Sequence, residues 1–161
     1  MFIDEKDIFL GPALLTYYDV IRLAHYWHVT RPGTKINEIL AIDIQRGTCE
    51  MAISKLIFPS ARLHLTDMNG VSPYVEKFSA RDAIIEYSYC DLMVVCYPNA
   101  EAVKDKEYTD ILRKFKGKYI MSIVDDSCNI EHELDEWGSC DFKIKLDVAV
   151  WDTYLLVHRN H

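Results

Sequence analysis

Between Ala41 and Ile53 the chain reads AIDIQRGTCEMAI, and this stretch decides the fold. An apolar run leads into Asp43, a tight loop around Gly47 follows, and the residues after the loop have the spacing of an amphipathic helix. The next apolar run ends at Asp67. Strand, loop, helix and strand in this order predict two parallel strands joined by a helix, with an acidic residue at the carboxyl end of each strand.

The rest of the chain continues this alternation. The predicted elements are helix 11–30, strand 38–44, helix 49–58, strand 62–66, a mostly helical segment 72–89, strand 91–97, helix 104–115, strand 118–124, helix 130–137 and strands 142–151 and 153–158. Helices between strands favour a mostly parallel sheet with helices on both faces. The last two strands are joined by a short connection around Asp152, so we expect them to pair as an antiparallel hairpin.

Two segments allow finer predictions. In the first helix an apolar stripe predicts the face that packs on the sheet; it consists of Leu14, Leu15, Tyr18, Ile21, Ala24 and His25. Ser72 and Pro73 have the signature of a helix start. The segment from Asp67 to Asp91 is short for a helix, a strand and another helix, so we expect a reduced middle region.

Length and composition place the chain in a broad class. Its 161 residues fit one domain, with an N-terminal helical segment over 1–33 and an α/β core over 34–161. The formal net charge of −7 disfavours general nucleic-acid binding. We predict no membrane span and no signal peptide. Five cysteines without a CxxC pair indicate reduced thiols, neither a disulfide framework nor a zinc site, and a cytoplasmic protein.

The opening stretch resembles the cofactor motif of class I S-adenosylmethionine-dependent methyltransferases, a Rossmann-like superfamily. That motif has an acidic residue at the end of the first strand and then a loop with three glycines. Asp43 falls on the acidic position and Gly47 on the middle glycine, while Gln45 and Cys49 stand at the outer glycines. Asp67 falls on the acidic residue that closes the second strand in the family. The resemblance covers about residues 38–158.

This resemblance implies a fold and a cofactor. The expected fold is α/β, a three-layer Rossmann-like methyltransferase fold with a mostly parallel sheet, a C-terminal antiparallel hairpin and a reduced middle region. The expected cofactor is S-adenosylmethionine. By resemblance Asp67 would hold the ribose, Asp43 would organise the loop and Met68 would flank the adenine. The cofactor-binding residues are then Asp43, Gln45, Gly47, Asp67, Met68 and Asp91.

Two functions follow from these observations. The first is methyl transfer to an acceptor that the sequence does not identify, with Asp91, Tyr97 or Asp125 as alternative bases. The second is a catalytically inactive interaction module that binds a protein partner or a second copy of itself. The replaced outer glycines favour the second function, and the aligned Asp43 and Asp67 favour the first. No pair of histidines has metal-ligand spacing, so no metal is expected.

Overall fold

A seven-stranded sheet organises the protein. The computed structural model describes residues 16–31, 33–44, 48–70, 72–146 and 152–161. The elements are α1 (Tyr17–Thr30), β1 (Glu38–Ala41), α2 (Thr48–Ile57), β2 (Arg62–Asp67), β3 (Glu76–Lys77), α3 (Ala80–Glu86), β4 (Leu92–Cys96), α4 (Ala100–Lys104), α5 (Glu107–Arg113), β5 (Tyr119–Val124), α6 (Glu131–Trp137), β6 (Gly138–Lys145) and β7 (Tyr154–Asn160).

The strands lie in the order β3-β2-β1-β4-β5-β7-β6. The first five pair in parallel, whereas β7 runs antiparallel to both β5 and β6. The predicted three-layer α/β architecture with a C-terminal antiparallel hairpin is therefore confirmed. The hairpin strands begin and end elsewhere than predicted: β6 starts at Gly138 and ends at Lys145. The predicted strand end at Trp151 lies outside the described residues.

Alternate strand residues point into two apolar layers because successive side chains of a strand face opposite sides of the sheet. Ile39, Leu92 and Val94 pack with buried residues of α1 and α2. Leu40 and Met93 face the other layer. That second layer also contains the buried side chains of α3, α5 and α6, which are Ala83, Ile84, Tyr108, Ile111, Leu112, Leu134 and Trp137.

The buried face of α1 differs from most of the predicted stripe, although Ala24 of that stripe packs against the core. Val20, Leu23 and Trp27 are buried, whereas Tyr18 and Ile21 are exposed. The hydrophobic pattern does not indicate this face, because the face includes a buried aspartate, Asp19. Thr16 and Asp19 form a capping box, and Arg22 also contacts the Asp19 carboxylate at 2.7 Å. These bonds compensate for the burial of a charged residue. Leu14 and Leu15 lie outside the described residues.

The middle of the chain is short, as expected, but it is built differently. The described residues between β2 and β3 form turns, and Ser72 accepts a hydrogen bond from the Tyr74 backbone N–H within one of them. The helix starts at Ala80, with Ser79 as its N-cap. The predicted helix start at Ser72 is therefore wrong, because a serine initiates a local turn as readily as it caps a helix.

The predicted helix over 104–115 corresponds to α5, Glu107–Arg113, and a separate short helix, α4, ends at Lys104 before it. The start of α5 is delayed to Glu107 because Lys106, which precedes it, adopts the left-handed region at φ +58°. None of the helices in the described parts of the chain is both long and apolar enough to cross a bilayer.

Candidate functional site

The candidate site lies at the carboxyl edge of the parallel strands. The chain proceeds from β1 outward to β2 and β3, then crosses back to β4 on the other side of β1. Loops that leave neighbouring strands in opposite directions create a crevice at such a switch point. Asp43 follows β1, Asp67 is the last residue of β2, and Tyr97 follows β4.

Asp43 is held by a tertiary hydrogen bond. The hydroxyl of Tyr108, on α5, donates to Asp43 Oδ2 at 2.6 Å. Asp43 adopts φ +49°, a conformation that is uncommon for residues other than glycine and is often found at functional sites. Burial raises the pKa of Asp43, the Tyr108 hydrogen bond lowers it, and the nearby charges of Asp67 and Glu107 raise it further. Together these effects leave the pKa of Asp43 above the usual value for an aspartate.

Asp67 is buried although it carries a carboxylate, since only 7% of its surface is exposed. The backbone N–H of Asn69 donates to Asp67 Oδ1 at 2.9 Å. This bond orients the carboxylate, and the carboxylate is one of the groups that line the pocket. A fixed carboxylate is an acceptor for two neighbouring hydroxyl groups.

A pocket of about 740 Å³ opens at this edge. Its volume lies in the range of small-molecule sites. The charged side chains among its described lining residues are five carboxylates and one guanidinium, namely Asp43, Asp67, Glu101, Asp105, Glu107 and Arg81. Met68 and Tyr97 add apolar surface to the wall. The pocket therefore favours a ligand that carries positive charge and has one face that is not polar.

A buried acid, Glu50, lies in the first turn of α2 and interacts electrostatically with Asp67. It is 3% exposed, and the Cys96 thiol donates to its carboxylate. Burial raises the pKa of Glu50 to about 7; hydrogen bonds from its own backbone N–H and from Cys96 lower it, and the charge of Asp67 raises it. Glu50 thus changes its charge near neutral pH, close enough to the pocket to interact with Asp67.

Comparison with known proteins identifies the fold. No protein-family model matches the chain, and no curated protein matches it by sequence. Solved structures do match. The N-methyltransferase NodS of Bradyrhizobium japonicum WM9, in complex with S-adenosyl-L-homocysteine, aligns with a TM-score of 0.59 at 13% identity, over 98% of this chain and 93% of NodS.

Two further structures agree with this result. TrmK of M. capricolum, in complex with S-adenosyl-homocysteine, gives a TM-score of 0.59 at 7% identity, over 91% of this chain and 69% of TrmK. The METTL16 MTase domain gives 0.56 at 12% identity, over 89% of this chain and 67% of that domain. The chain has the class I methyltransferase fold. At these identities the likeness establishes the fold alone.

Within the methyltransferase fold, the structure brings together three of the six predicted cofactor-binding residues. Asp43, Asp67 and Met68 all line the pocket. Asp91 does not: it precedes β4 at the opposite edge of the sheet, where its carboxylate accepts hydrogen bonds from the backbone N–H groups of Asn37 and Glu38. Gln45 and Gly47 lie outside the described residues.

Of the three alternative bases, only Tyr97 is among the described residues that line the pocket. Burial raises the pKa of Tyr97 further above neutrality and a hydrogen bond from Thr153 lowers it, so the hydroxyl stays protonated and is suited to donate rather than to act as a base. Asp125 Oδ1 accepts hydrogen bonds from the backbone N–H groups of Ser127 and Cys128. Asp125 therefore stabilises its own turn after β5.

Tyr108 and Glu50 were not recognised as site residues from the sequence. Tyr108 lies 65 positions from Asp43, and no local pattern links a tyrosine on one helix to a carboxylate after a distant strand. Glu50 lies in the stretch that resembles the family motif, but its hydrogen bond with Cys96 of β4 joins it to a distant part of the chain. Both contacts are tertiary, so only the structure reveals them.

The Tyr108–Asp43 contact leads to a first prediction. Tyr108→Phe should lower the free energy of unfolding by about 1–2 kcal/mol, because a partly buried carboxylate loses a direct donor. Urea unfolding at neutral pH measures the change. Tyr74→Phe is the matched control, since Tyr74 is 85% exposed and its change should stay below about 0.5 kcal/mol. Equal stability of the two variants would show that the hydrogen bond does not hold Asp43.

Proposed function

We propose that this protein binds S-adenosylmethionine at the carboxyl edge of its sheet and transfers the methyl group to an acceptor that is not yet identified. The observation that carries the proposal is the buried Asp67 carboxylate at the end of β2, which faces a pocket at the switch point of a methyltransferase fold. The structures of NodS and TrmK, which have this fold, contain the product of the cofactor.

The pocket wall is chemically suited to an adenosine. Asp67 offers two carboxylate oxygens as acceptors for the two ribose hydroxyls, and the Asn69 backbone N–H limits its rotation. Met68 is 60% exposed beside it and provides a polarisable surface for a purine ring. Asp67 is the last residue of β2 and Met68 follows it directly, so one backbone segment positions both contacts.

The charge of the pocket also favours this ligand. Five carboxylates and one guanidinium among the described lining residues attract cations and repel phosphates. S-adenosylmethionine carries a sulfonium and an ammonium group, whereas dinucleotide cofactors carry phosphates. The electrostatics therefore support the methyl donor over the phosphate-bearing ligands that bind other Rossmann-like folds.

The chain's own contribution would be mainly binding and orientation. When bound, S-adenosylmethionine supplies a methyl group that is already activated by the sulfonium. Asp67 would fix the nucleoside, and the Tyr108–Asp43 hydrogen bond would hold the loop after β1. Tyr97, at φ +55° on the pocket wall, would donate a hydrogen bond toward the acceptor. Holding two reactants in line provides much of the rate enhancement in such transfers.

Calorimetry with S-adenosyl-homocysteine and S-adenosylmethionine tests the proposal. We expect one site per chain, and Asp67→Asn should weaken the affinity about a hundredfold, because hydrogen bonds from two hydroxyls lose their charged acceptor. Asp110→Asn is the matched control: its side chain is 68% exposed, and it is not among the residues that line this pocket. Flat titrations, or an unchanged affinity in Asp67→Asn, would refute the proposal.

A second candidate function is the non-catalytic interaction module. An exposed apolar face of α1 favours it, since Tyr17, Tyr18, Ile21 and Val29 are each at least 45% exposed. Large exposed apolar patches often mark protein-binding surfaces. Flat calorimetric titrations together with a dimeric mass by light scattering, reduced to a monomer in Ile21→Glu, would favour this function over methyl transfer.

A further inference from the structure

Three metal-ligating side chains converge at the edge of the sheet opposite the pocket. Glu38 is the first residue of β1, His64 lies within β2, and Cys90 lies just before β4. Their ligand atoms, a carboxylate oxygen, an imidazole nitrogen and the thiol sulfur, all lie within 4.8 Å of one another. His64 Nε2 is 3.8 Å from Glu38 Oε1.

The backbone holds these three segments together. The Asp91 carboxylate accepts hydrogen bonds from the N–H groups of Asn37 and Glu38 at 2.8 and 3.1 Å. The Asp91 N–H donates in turn to the Glu38 carbonyl at 3.0 Å. The start of β1 is therefore clamped to the segment that carries Cys90. The Tyr89 hydroxyl donates to the Glu38 carboxylate, which helps to orient it.

One polar group of the cluster, the His64 imidazole, lacks a partner among the described residues. His64 is 7% exposed, and Nε2 has no hydrogen-bond partner within the described part of the chain. Its ring is stacked on Tyr87 at 4.2 Å, which restricts its rotation. A buried imidazole nitrogen without a partner is unfavourable unless a ligand occupies its lone pair or a donor reaches it.

We propose that Glu38, His64 and Cys90 form a zinc site. Thiolate, imidazole and carboxylate are the ligands that zinc prefers, and this set disfavours magnesium and calcium, which bind oxygen ligands. Cys90 is fully buried, whereas the Glu38 side chain is 25% exposed, so an ion can enter past Glu38. A water molecule would complete a tetrahedral shell.

Binding requires a small contraction and the loss of a proton. Ligand atoms of a tetrahedral zinc ion lie about 3.3–3.8 Å apart, so a separation of up to 4.8 Å must contract by about 1 Å. The Glu38 side chain, which is 25% exposed, is the ligand that would move inward. Burial and the charge of Glu38 raise the pKa of the Cys90 thiol, so zinc must displace its proton, as it does on binding thiols in general.

Cobalt(II) substitution tests the site in the full chain. After removal of metals with a chelator, titration with Co²⁺ should give one ion per chain, with visible bands of tetrahedral cobalt and a sulfur-to-cobalt charge-transfer band in the near ultraviolet. Added Zn²⁺ should displace the cobalt and thereby remove both the visible bands and the charge-transfer band. Cys90→Ser should abolish the charge-transfer band, whereas Cys140→Ser, which removes an exposed thiol, should retain it.

Two further variants decide the result if Cys90→Ser does not fold. His64→Gln and Glu38→Gln should each weaken Co²⁺ binding by at least about tenfold. His132→Ala, which removes an exposed histidine 3.3 Å from Glu136, should leave the affinity unchanged. The absence of a thiolate band in the unsubstituted protein, its persistence in Cys90→Ser, or full affinity in His64→Gln would overturn the proposal. The 3.8 Å approach of His64 to Glu38 would then be a contact that holds no metal.

Discussion

Trp27→Ala should lower the free energy of unfolding by about 4 kcal/mol, because it removes the largest buried side chain of α1. Trp27 is 2% exposed, and its ring packs edge-on against Phe58 at 5.1 Å and Tyr119 at 4.7 Å. The indole therefore joins α1 both to the end of α2 and to β5. Its loss leaves a cavity that three elements surround, and such a cavity collapses only partly.

Urea unfolding followed by circular dichroism measures this change. Val29→Ala is the matched control on the same helix, since Val29 is 60% exposed, and its effect should stay within about 0.5 kcal/mol. Trp27→Phe should lie between the two variants and serves where Trp27→Ala does not fold. Equal unfolding midpoints for Trp27→Ala and Val29→Ala would mean that α1 does not pack on the sheet through Trp27.

The order and type of most elements were predictable because the signals are local. The apolar run that became β4 is buried on both faces, and all five of its residues are buried. Such a run is typical of a central parallel strand. The same reasoning located Asp43 and Asp67, since the residues that end parallel strands must meet at one edge of the sheet.

Two of the predictions that failed, the buried face of α1 and the helix over 104–115, concern segments shaped by their tertiary contacts. The stripe of Tyr18 and Ile21 has helical spacing, but α1 buries the face with Trp27 and the capped Asp19. Lys106, which lies within the predicted helix over 104–115, adopts a left-handed conformation although it is not a glycine. Tyr108 follows two residues later and contacts Asp43. Local propensity is weaker than these contacts, so it cannot identify them.

Glu38, His64 and Cys90 illustrate the same limit at the other edge of the sheet. More than two dozen residues separate each from the next along the chain, so they form no short ligand motif. Cysteine spacing alone therefore indicated no zinc site. Their proximity arises from the parallel pairing of β1 with β2 and β4.

Glu50→Gln should remove a pH-dependent loss of stability of about 3 kcal/mol. The pKa of Glu50 is about 7 in the folded protein, against 4.5 for an unperturbed glutamate. Between these values the folded chain holds a proton that the unfolded chain has released, so stability falls as pH rises through this window and is level above it. The difference between these two pKa values corresponds to about 3 kcal/mol.

The difference between the unsubstituted protein and Glu50→Gln isolates this contribution, because Asp43, whose pKa is also raised, is present in both. Urea unfolding from pH 4 to 8 should show Glu50→Gln gaining stability relative to the unsubstituted protein as pH rises, and becoming the more stable of the two above pH 7. Glu101→Gln, an exposed glutamate in the first turn of α4, is the matched control and should follow the unsubstituted protein.

Parallel stability curves for the unsubstituted protein and Glu50→Gln would contradict this account of Glu50.

The same variant also reports on the pocket, because the charge of Glu50 interacts with that of Asp67. Ionisation of Glu50 makes the wall behind Asp67 more negative, so the affinity for a cationic ligand should rise as pH passes through 7. In Glu50→Gln that rise should be absent, which links the buried acid to the site that it supports.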